Sequence, residues 1–312
     1  MHGRRYRAPR LLFGDEEARV LELSSLAEMR AWSRAERARG RRVGFVPTMG
    51  YLHEGHLSLV DRSRQLSDRV VMSIFVNPLQ FGPHEDLARY PRDLDRDRKL
   101  AAVRGVDCLF VPAAADMYPP AGDPVVRVVP LPGAGADTLE GAARPGHFTG
   151  VLTVVAKLFH LVEPDVAVFG RKDFQQAMLV RRLVGDLDFP IAIDVAPTVR
   201  ELDGLALSSR NSYLTPDERR SALALSRALR TLEQAWRGGQ ADAAALQRAG
   251  MDAMRAPGVV PEYCALVDEA LQRVPRVTPH TVAVVAARVG KTRLIDNVVL
   301  GEGIAADPRV TP

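Results

Sequence analysis

Cysteine is almost absent: Cys108 and Cys264 are the only two in 312 residues, they lie far apart, and neither belongs to a Cys-x-x-Cys pair. No disulfide framework or cysteine-built zinc site is thereby implied, and a reducing cytoplasm fits. Aromatics are scarce at 6%, and Arg alternates with Asp and Glu. Nucleic-acid binders instead cluster basic residues with aromatics between them, so no nucleic-acid partner is expected. No apolar run reaches the roughly 18 residues of a membrane span, and none of signal-peptide length follows the basic start, so neither a membrane nor export is expected. Excess charge is also small, with 42 Lys and Arg against 38 Asp and Glu, and Arg4, Arg5, Arg7 and Arg10 sit in the terminal stretch. What is present is an ordinary globular composition, 46% hydrophobic and 26% charged, in a length that suits one large domain or two ordinary ones.

Periodicity gives a strand at 42–47, a helix from His56 to Ser67, a strand from Arg69 to Phe75, a charged helix from Pro91 to Val103 and a strand from Asp107 to Val111. A Pro/Gly/Ala-rich loop between Ala113 and Gly146 precedes a helix from Thr149 to Leu161 and a strand from Asp165 to Phe169. This βαβ rhythm predicts a Rossmann-like α/β domain, a parallel sheet covered on both faces. Near Val199 the rhythm changes. Thr215-Pro216-Asp217-Glu218 opens a helix with an N-cap and a proline at its first position, and strands follow at Tyr263–Val267, Val282–Ala287 and Thr292–Asn297. The expected organisation is a terminal extension over 1–20 without order, a nucleotide-binding domain over 21–198, and a smaller α+β, lid-like domain over 199–312.

Three segments carry chemistry. In Met49-Gly50-Tyr51-Leu52-His53-Glu54-Gly55-His56, two histidines flank a glycine where a helix begins. A helix N-terminus offers free N–H groups to an anion, and the glycines let backbone approach a phosphate. A metal site that borrows His84, or plain capping histidines, are the competing readings. Gly170-Arg171-Lys172-Asp173-Phe174-Gln175-Gln176 follows another strand and offers cations, a carboxylate and amides. Leu207-Ser208-Ser209-Arg210-Asn211 offers hydroxyls and a guanidinium that suit a triphosphate, and equally ordinary turn chemistry. In open parallel sheets ligands bind at the carboxyl ends of strands, so the two glycine-bearing junctions are expected to face one site.

Taken together and in this order, the segments from about Arg42 to Asn297 resemble the pantothenate synthetase family. His53-x-x-His56 is similar to the family's version of the HIGH signature of nucleotidyltransferases, a superfamily that includes class I aminoacyl-tRNA synthetases, and the serine loop is similar to its KMSKS counterpart. The resemblance implies a ligase that activates pantoate with ATP as an adenylate and joins it to β-alanine, with Mg²⁺ as cofactor and a homodimer as the assembly. It implies that Met49 to His56, Gly170 to Asp173, Val199 and Leu207 to Arg210 hold ATP. Within these, His53, His56, Lys172, Ser208, Ser209 and Arg210 would be catalytic, with His56 as the family's proton donor. It places Gln80, Gln176, Asn77, Arg144 and His147 at the substrates and Asp97 on the metal. Departures from the family are Tyr51 in place of a small residue, Arg96 in place of an acidic one, and Leu207 in place of methionine.

Overall fold

The computed structural model of the chain describes residues 10–12, 20–118 and 126–304. Its elements run β1 (Arg10–Leu12), β2 (Val20–Leu23), α1 (Leu26–Ala38), β3 (Val43–Thr48), α2 (Glu54–Leu66), β4 (Arg69–Ile74), α3 (Leu94–Val103) and β5 (Cys108–Phe110). Two single turns, α4 (Ala114–Met117) and α5 (Glu140–Ala143), precede α6 (His147–Val162), β6 (Val166–Gly170), α7 (Phe174–Asp186) and β7 (Ala192–Ala196). The chain continues through α8 (Pro216–Arg237), α9 (Ala243–Ala253), β8 (Val259–Val267), β9 (Val282–Val289) and β10 (Thr292–Val299).

One sheet has the order β1-β2-β5-β4-β3-β6-β7, and a second has the order β10-β9-β8. In the first, β2 to β7 are parallel and only β1 is antiparallel. The second is wholly antiparallel. Strand alternation divides the core. Phe45, Val71, Cys108, Phe110 and Ala167 join α1, α6 and α7 on one face, while Val46, Val70, Met72, Leu109 and Val168 join α2 and α3 on the other. A sheet buried on both sides needs near-continuous apolar strands, which is how β3, β4 and β5 read in the sequence.

The small sheet alternates in the same way. Cys264, Leu266, Ala283 and Val285 pack on α8 and α9, whereas Ala265, Val267, Val282 and Val284 lie in the cluster built on α6 and α7. Apolar burial is therefore continuous across Val199.

Local capping sets several boundaries. Asp93 accepts from the Arg96 N–H at 3.1 Å, so the helix expected from Pro91 starts at Leu94. Thr215 and Glu218 form a reciprocal capping box, with Pro216 just inside the helix start. The strand expected at Tyr263 begins four residues earlier, at Val259, because Val259 and Val260 pair with Val289 and Arg288. In the extension expected to lack order, Arg10–Leu12 pairs with Val20–Glu22 as an edge strand. The rest of residues 1–19 lies outside the described residues.

Candidate active site

From β3 the chain crosses to β4 and β5 on one side and later returns to β6 on the other, so the strand order reverses between β3 and β6. Crevices open at such switch points, and here the loops after β3 and β6 border one. A cavity of about 220 Å³ lies there, lined by Met49, His53, Gly55 and His56 from the first loop and by Gly170, Lys172 and Asp173 from the second. Thr198, Val199 and Leu207 to Arg210 complete the wall. A larger cavity of about 430 Å³ adjoins it, shares Lys172, Asp173, Gln176, Ser208 and Arg210, and extends to β9 and β10.

The loop after β3 is built on Gly50 and Asp97. Gly50 has φ +82°, and a Cβ there would meet Asp97 Oδ2 and Ile74 Cγ2 at 2.9 Å each. Asp97, 1% exposed, accepts the Tyr51 N–H on Oδ2 and the Leu52 N–H on Oδ1, both at 2.7 Å. Tyr51 also takes a left-handed φ of 53°. Its ring lies under the Arg96 guanidinium at 5.6 Å, while Arg96 donates to the Leu52 carbonyl at 2.8 Å. Two of the three departures from the family thus pack on each other, outside the cavity, while the third, Leu207, lines it. Gly50, Tyr51, Leu52 and Glu54, all expected at the nucleotide, shape the loop instead of lining the cavity; Glu54 pairs outward with Arg104.

Asp97, expected on the metal, gives its carboxylate to the loop backbone here and lines neither cavity. Among the described residues no group of three or more His, Cys, Asp or Glu is arranged to hold a metal. Of the carboxylates around the cavities, Glu85, Asp86, Glu140 and Asp296 each pair with an arginine. Asp173 lies 3.7 Å from Lys172. These donors do not make a resident cation site. They fit a cation that arrives on phosphate oxygens and needs one or two protein ligands at most.

His53 caps α2, its Nδ1 accepting the Gly55 N–H at 3.1 Å, so the neutral ring carries its proton on Nε2. The His56 ring lies 4.1 Å away, and its Nδ1 is buried with no hydrogen-bond partner among the described residues. His147 is fixed as firmly. An Arg144 N–H can only donate to His147 Nε2, at 3.0 Å, so the proton sits on Nδ1 and is given to the Gln80 carbonyl at 2.9 Å.

Burial pushes the pKa of His56 down to about 4, with Asp173 opposing and Lys172 adding to the shift. Burial, then the Arg144 charge, brings His147 to about 4 as well. Burial and then the His56, Lys172 and Arg96 charges hold His53 well below its ordinary value. All three bind fewer protons folded than unfolded, so their stabilisation is complete above the unfolded value of 6.5 and is lost as pH falls below it, toward 4 for His56 and His147. Unfolding free energies from urea titrations at pH 7.5 to 4.5 are expected to decline over that window, by roughly 3 kcal/mol for a histidine whose shift is fully realised. A His147→Gln variant is expected to decline less steeply, and an equal slope would show that this histidine does not titrate on unfolding.

The turn at Pro78–Gln80 supplies the amide wall. Asn77, 1% exposed, donates to Gln80 Oε1 at 3.0 Å and to the Gly150 carbonyl at 3.1 Å, and accepts from the Leu79 N–H and the Tyr118 hydroxyl. Every donor and acceptor of its amide is engaged; Asn77, expected at the substrate, lines the cavity and also holds Gln80 in place. Gln80 Nε2 consequently turns toward Met49 Sδ, 3.2 Å away, and lines the cavity. The turn sits against α6 because position 150 is glycine; a Cβ there would lie 2.1 Å from the Leu79 carbonyl oxygen. Gln176 lines both cavities, whereas its neighbour Gln175 is engaged by Glu140, Gly135 and Thr138 backbone groups. Arg144 borders the site with four of its five N–H groups committed to Glu85, Gln80 and His147.

The loop after β6 is pinned from the small sheet: Asn297 on β10 donates to the carbonyls of Arg171 and Lys172 at 2.8 and 2.9 Å. Arg171, expected at the nucleotide, turns away from both cavities to Glu302. Lys172 stays on the cavity wall. Ser208 caps the short helix at Ser209–Tyr213, and Ser209 donates to the Tyr51 carbonyl at 3.4 Å. Sequence reasoning missed Asn297, Arg200, Asp86 and Thr198, whose buried hydroxyl has no partner among the described residues and which lines the cavity. None belongs to a motif read from the sequence, and the ties of the first three become visible only when distant segments meet.

Anion-seeking groups from separate strand ends, converging on one switch-point crevice, place the protein among the Rossmann-like nucleotide-binding enzymes. The profile of the pantoate-beta-alanine ligase family matches residues 22–299, and the chain belongs to that family. It is 53% identical over 280 residues to pantothenate synthetase of Moorella thermoacetica, covering 89% of this chain and 98% of the relative. The corresponding protein of Heliobacterium modesticaldum is 51% identical with the same coverage. The structure of pantothenate synthetase from Thermus thermophilus superposes with a TM-score of 0.84 at 49% identity, over 89% of this chain and 99% of that one. Pantoate-beta-alanine ligase from Francisella tularensis, solved with beta-gamma ATP and beta-alanine, gives 0.73 at 34% identity, over 91% and 99%. A need for a divalent metal is consistent with such an ATP-using ligase family. Among the described residues, no helix is long and apolar enough to cross a membrane.

Proposed function

We propose that this protein condenses (R)-pantoate with β-alanine at the expense of ATP, giving pantothenate, AMP and diphosphate through a pantoyl adenylate, as a step in making pantothenate for coenzyme A. The observation that carries the reading is a cavity with neutral amides, Gln80 and Gln176, in the same wall as two neutral histidines and Lys172. A nucleotidyltransferase acting on a phosphorylated acceptor would need cations where these amides stand.

Pantoate's carboxylate attacks the α-phosphorus and diphosphate leaves; the amine of β-alanine then attacks the activated carbonyl and AMP leaves. His53, with its proton on Nε2, and His56 donate hydrogen bonds to phosphate oxygens as charge builds there. His56 acts here as a neutral donor, which agrees with its lowered pKa. Lys172, Ser208, Ser209 and Arg210 neutralise the departing phosphates, while Thr198, Val199 and Leu207 border the nucleoside. Gln80 and Gln176 hold pantoate, with Arg144 and His147 fixing Gln80 by its carbonyl. Mg²⁺ is the divalent ion of this reading, carried on ATP and shielding its phosphate charge. A lid-like unit from residue 199 onward is supported by the bonds from Asn297 to the Lys172 loop. A homodimer in the cytoplasm completes the reading and rests on the family resemblance.

The test is AMP and diphosphate release from ATP with Mg²⁺ and D-pantoate, with and without β-alanine. AMP release that requires β-alanine, with pantothenate formed, is expected. Diphosphate formation independent of pantoate would overturn the substrate assignment.

A further inference from the structure

Two consecutive carboxylates lie on the loop between β4 and α3, and each grips an arginine of the cavity wall. Glu85 receives Nε and Nη2 of Arg144 at 2.8 and 2.6 Å. Asp86 receives Nε and Nη2 of Arg210 at 2.9 Å each. The second pair ties this loop to the serine loop, 124 residues away in sequence. It is not a loose surface pair: the Asp86 side chain is 13% exposed and that of Arg210 27%. The Tyr213 hydroxyl donates to Asp86 Oδ2 at 3.4 Å, and the Tyr90 ring lies under the Arg210 guanidinium at 5.8 Å. Burial works to raise the Asp86 pKa, but the hydrogen bonds and charge of Arg210 outweigh it and hold the carboxyl below its usual value.

Donor accounting distinguishes the two arginines. A guanidinium has five N–H groups. Arg144 has one left after Glu85, Gln80 and His147, so it is largely a fixed part of the wall. Among the described residues Arg210 gives two, both to Asp86, and keeps both N–H groups of Nη1 and one of Nη2. Arg210 lines both cavities. A bidentate grip on the Nε edge fixes the plane of the guanidinium and leaves the other edge for a ligand.

We propose that Asp86 is a positioning residue that holds Arg210 in the orientation in which its unengaged N–H edge receives the nucleotide phosphates. The inference rests on phosphates occupying this cavity, as in the function proposed above. Without Asp86, Arg210 must be immobilised by the ligand itself, and the entropy of ordering a long side chain is then subtracted from binding. The alternative is that Asp86 competes with phosphate for Arg210, and the two predict opposite signs.

The experiment is a double-mutant cycle of Asp86→Asn and Arg210→Gln. ATP binding is measured by calorimetry, and KM and kcat for AMP formation are measured alongside. Asp86→Asn is expected to weaken ATP binding roughly tenfold and to raise KM for ATP, with KM for β-alanine unchanged. In the Arg210→Gln background the same substitution is expected to change ATP binding by less than about twofold, because Asp86 acts through Arg210. Asp86→Glu, which keeps a carboxylate, is expected to recover most of the affinity. Tighter ATP binding in Asp86→Asn would overturn the proposal in favour of competition, and an equal loss in both backgrounds would overturn it in favour of a structural role. Because calorimetry reads ATP without turnover, a wild-type protein that binds ATP but forms no pantothenate would overturn the reaction and leave the cycle readable.

Discussion

Asp296→Ala is expected to destabilise the protein by roughly 3–5 kcal/mol, measured by urea unfolding at pH 7.5. Asp296 and Arg200 are 4% and 3% exposed, and they meet through two bonds of 2.7 Å. Removing the carboxylate strands a guanidinium where water cannot reach it, and this desolvated charge accounts for most of the loss. Arg200 also donates to the carbonyls of Gly204 and Asn297, so it fixes both the turn before the serine loop and the end of β10. Asn297 in turn holds the carbonyls of Arg171 and Lys172. The loss is therefore expected to reach Lys172, raising KM for ATP severalfold in whatever fraction stays folded. The double variant Arg200→Met/Asp296→Leu separates the two effects. It removes both charges and is expected to regain much of the stability but not the KM, since the Gly204 and Asn297 carbonyls stay without their donor. Stability that remains low in the double variant would show that packing, not charge pairing, dominates at this site.

Local signals were legible in the sequence and long-range pairings were not. The glycine-flanked histidines at the start of α2, the apolar strands β3 to β6 and the capping box at Thr215 are each written within about ten residues, so spacing and residue type are enough to find them. The crevice followed from the βαβ rhythm, because the carboxyl ends of parallel strands must lie on one edge. What the sequence hid is which polar side chain answers which. Asp97 reads as an acidic residue on a charged helix, and only the fold brings its carboxylate to the N–H groups of Tyr51 and Leu52, some 45 residues earlier. The amide of Asn77 is tied to four neighbours that its local sequence does not announce, and Arg171 looks like a phosphate cation until Glu302 is seen beside it. The departures at Tyr51 and Arg96 read as two separate oddities in sequence, and the structure makes them one stacked pair. Val259 was missed as a strand start because Pro261 interrupts the pattern; a register shift between Pro261 and Tyr263 accommodates it.

His56→Ala is expected to lower kcat for adenylate formation by roughly 100- to 1000-fold while changing KM for ATP by less than about threefold. Ground-state phosphates can be held by Lys172, Arg210 and the serine hydroxyls, so losing one neutral donor costs little binding. The transition state differs because negative charge grows on the α-phosphate oxygens as the carboxylate arrives, and a donor fixed in a dry pocket gains most there. His56 suits that part: it is half-buried with Nδ1 fully enclosed, neutral and packed on His53 at 4.1 Å, and that Nδ1 is unpartnered among the described residues. His147 is an internal comparison, buried and with a pKa also near 4, but with both ring nitrogens engaged by Arg144 and the Gln80 carbonyl. His147→Ala is expected to act through Gln80 and to raise KM for pantoate more than it lowers kcat. His56→Gln, which keeps an N–H donor, is expected to retain more activity than His56→Ala, provided pH 7.5 unfolding shows both variants folded. If His56→Ala and His147→Ala gave the same kcat and KM pattern, the free nitrogen of His56 would not be what sets it apart, and stabilisation of the adenylation transition state would have to be sought at Lys172 and Arg210 instead.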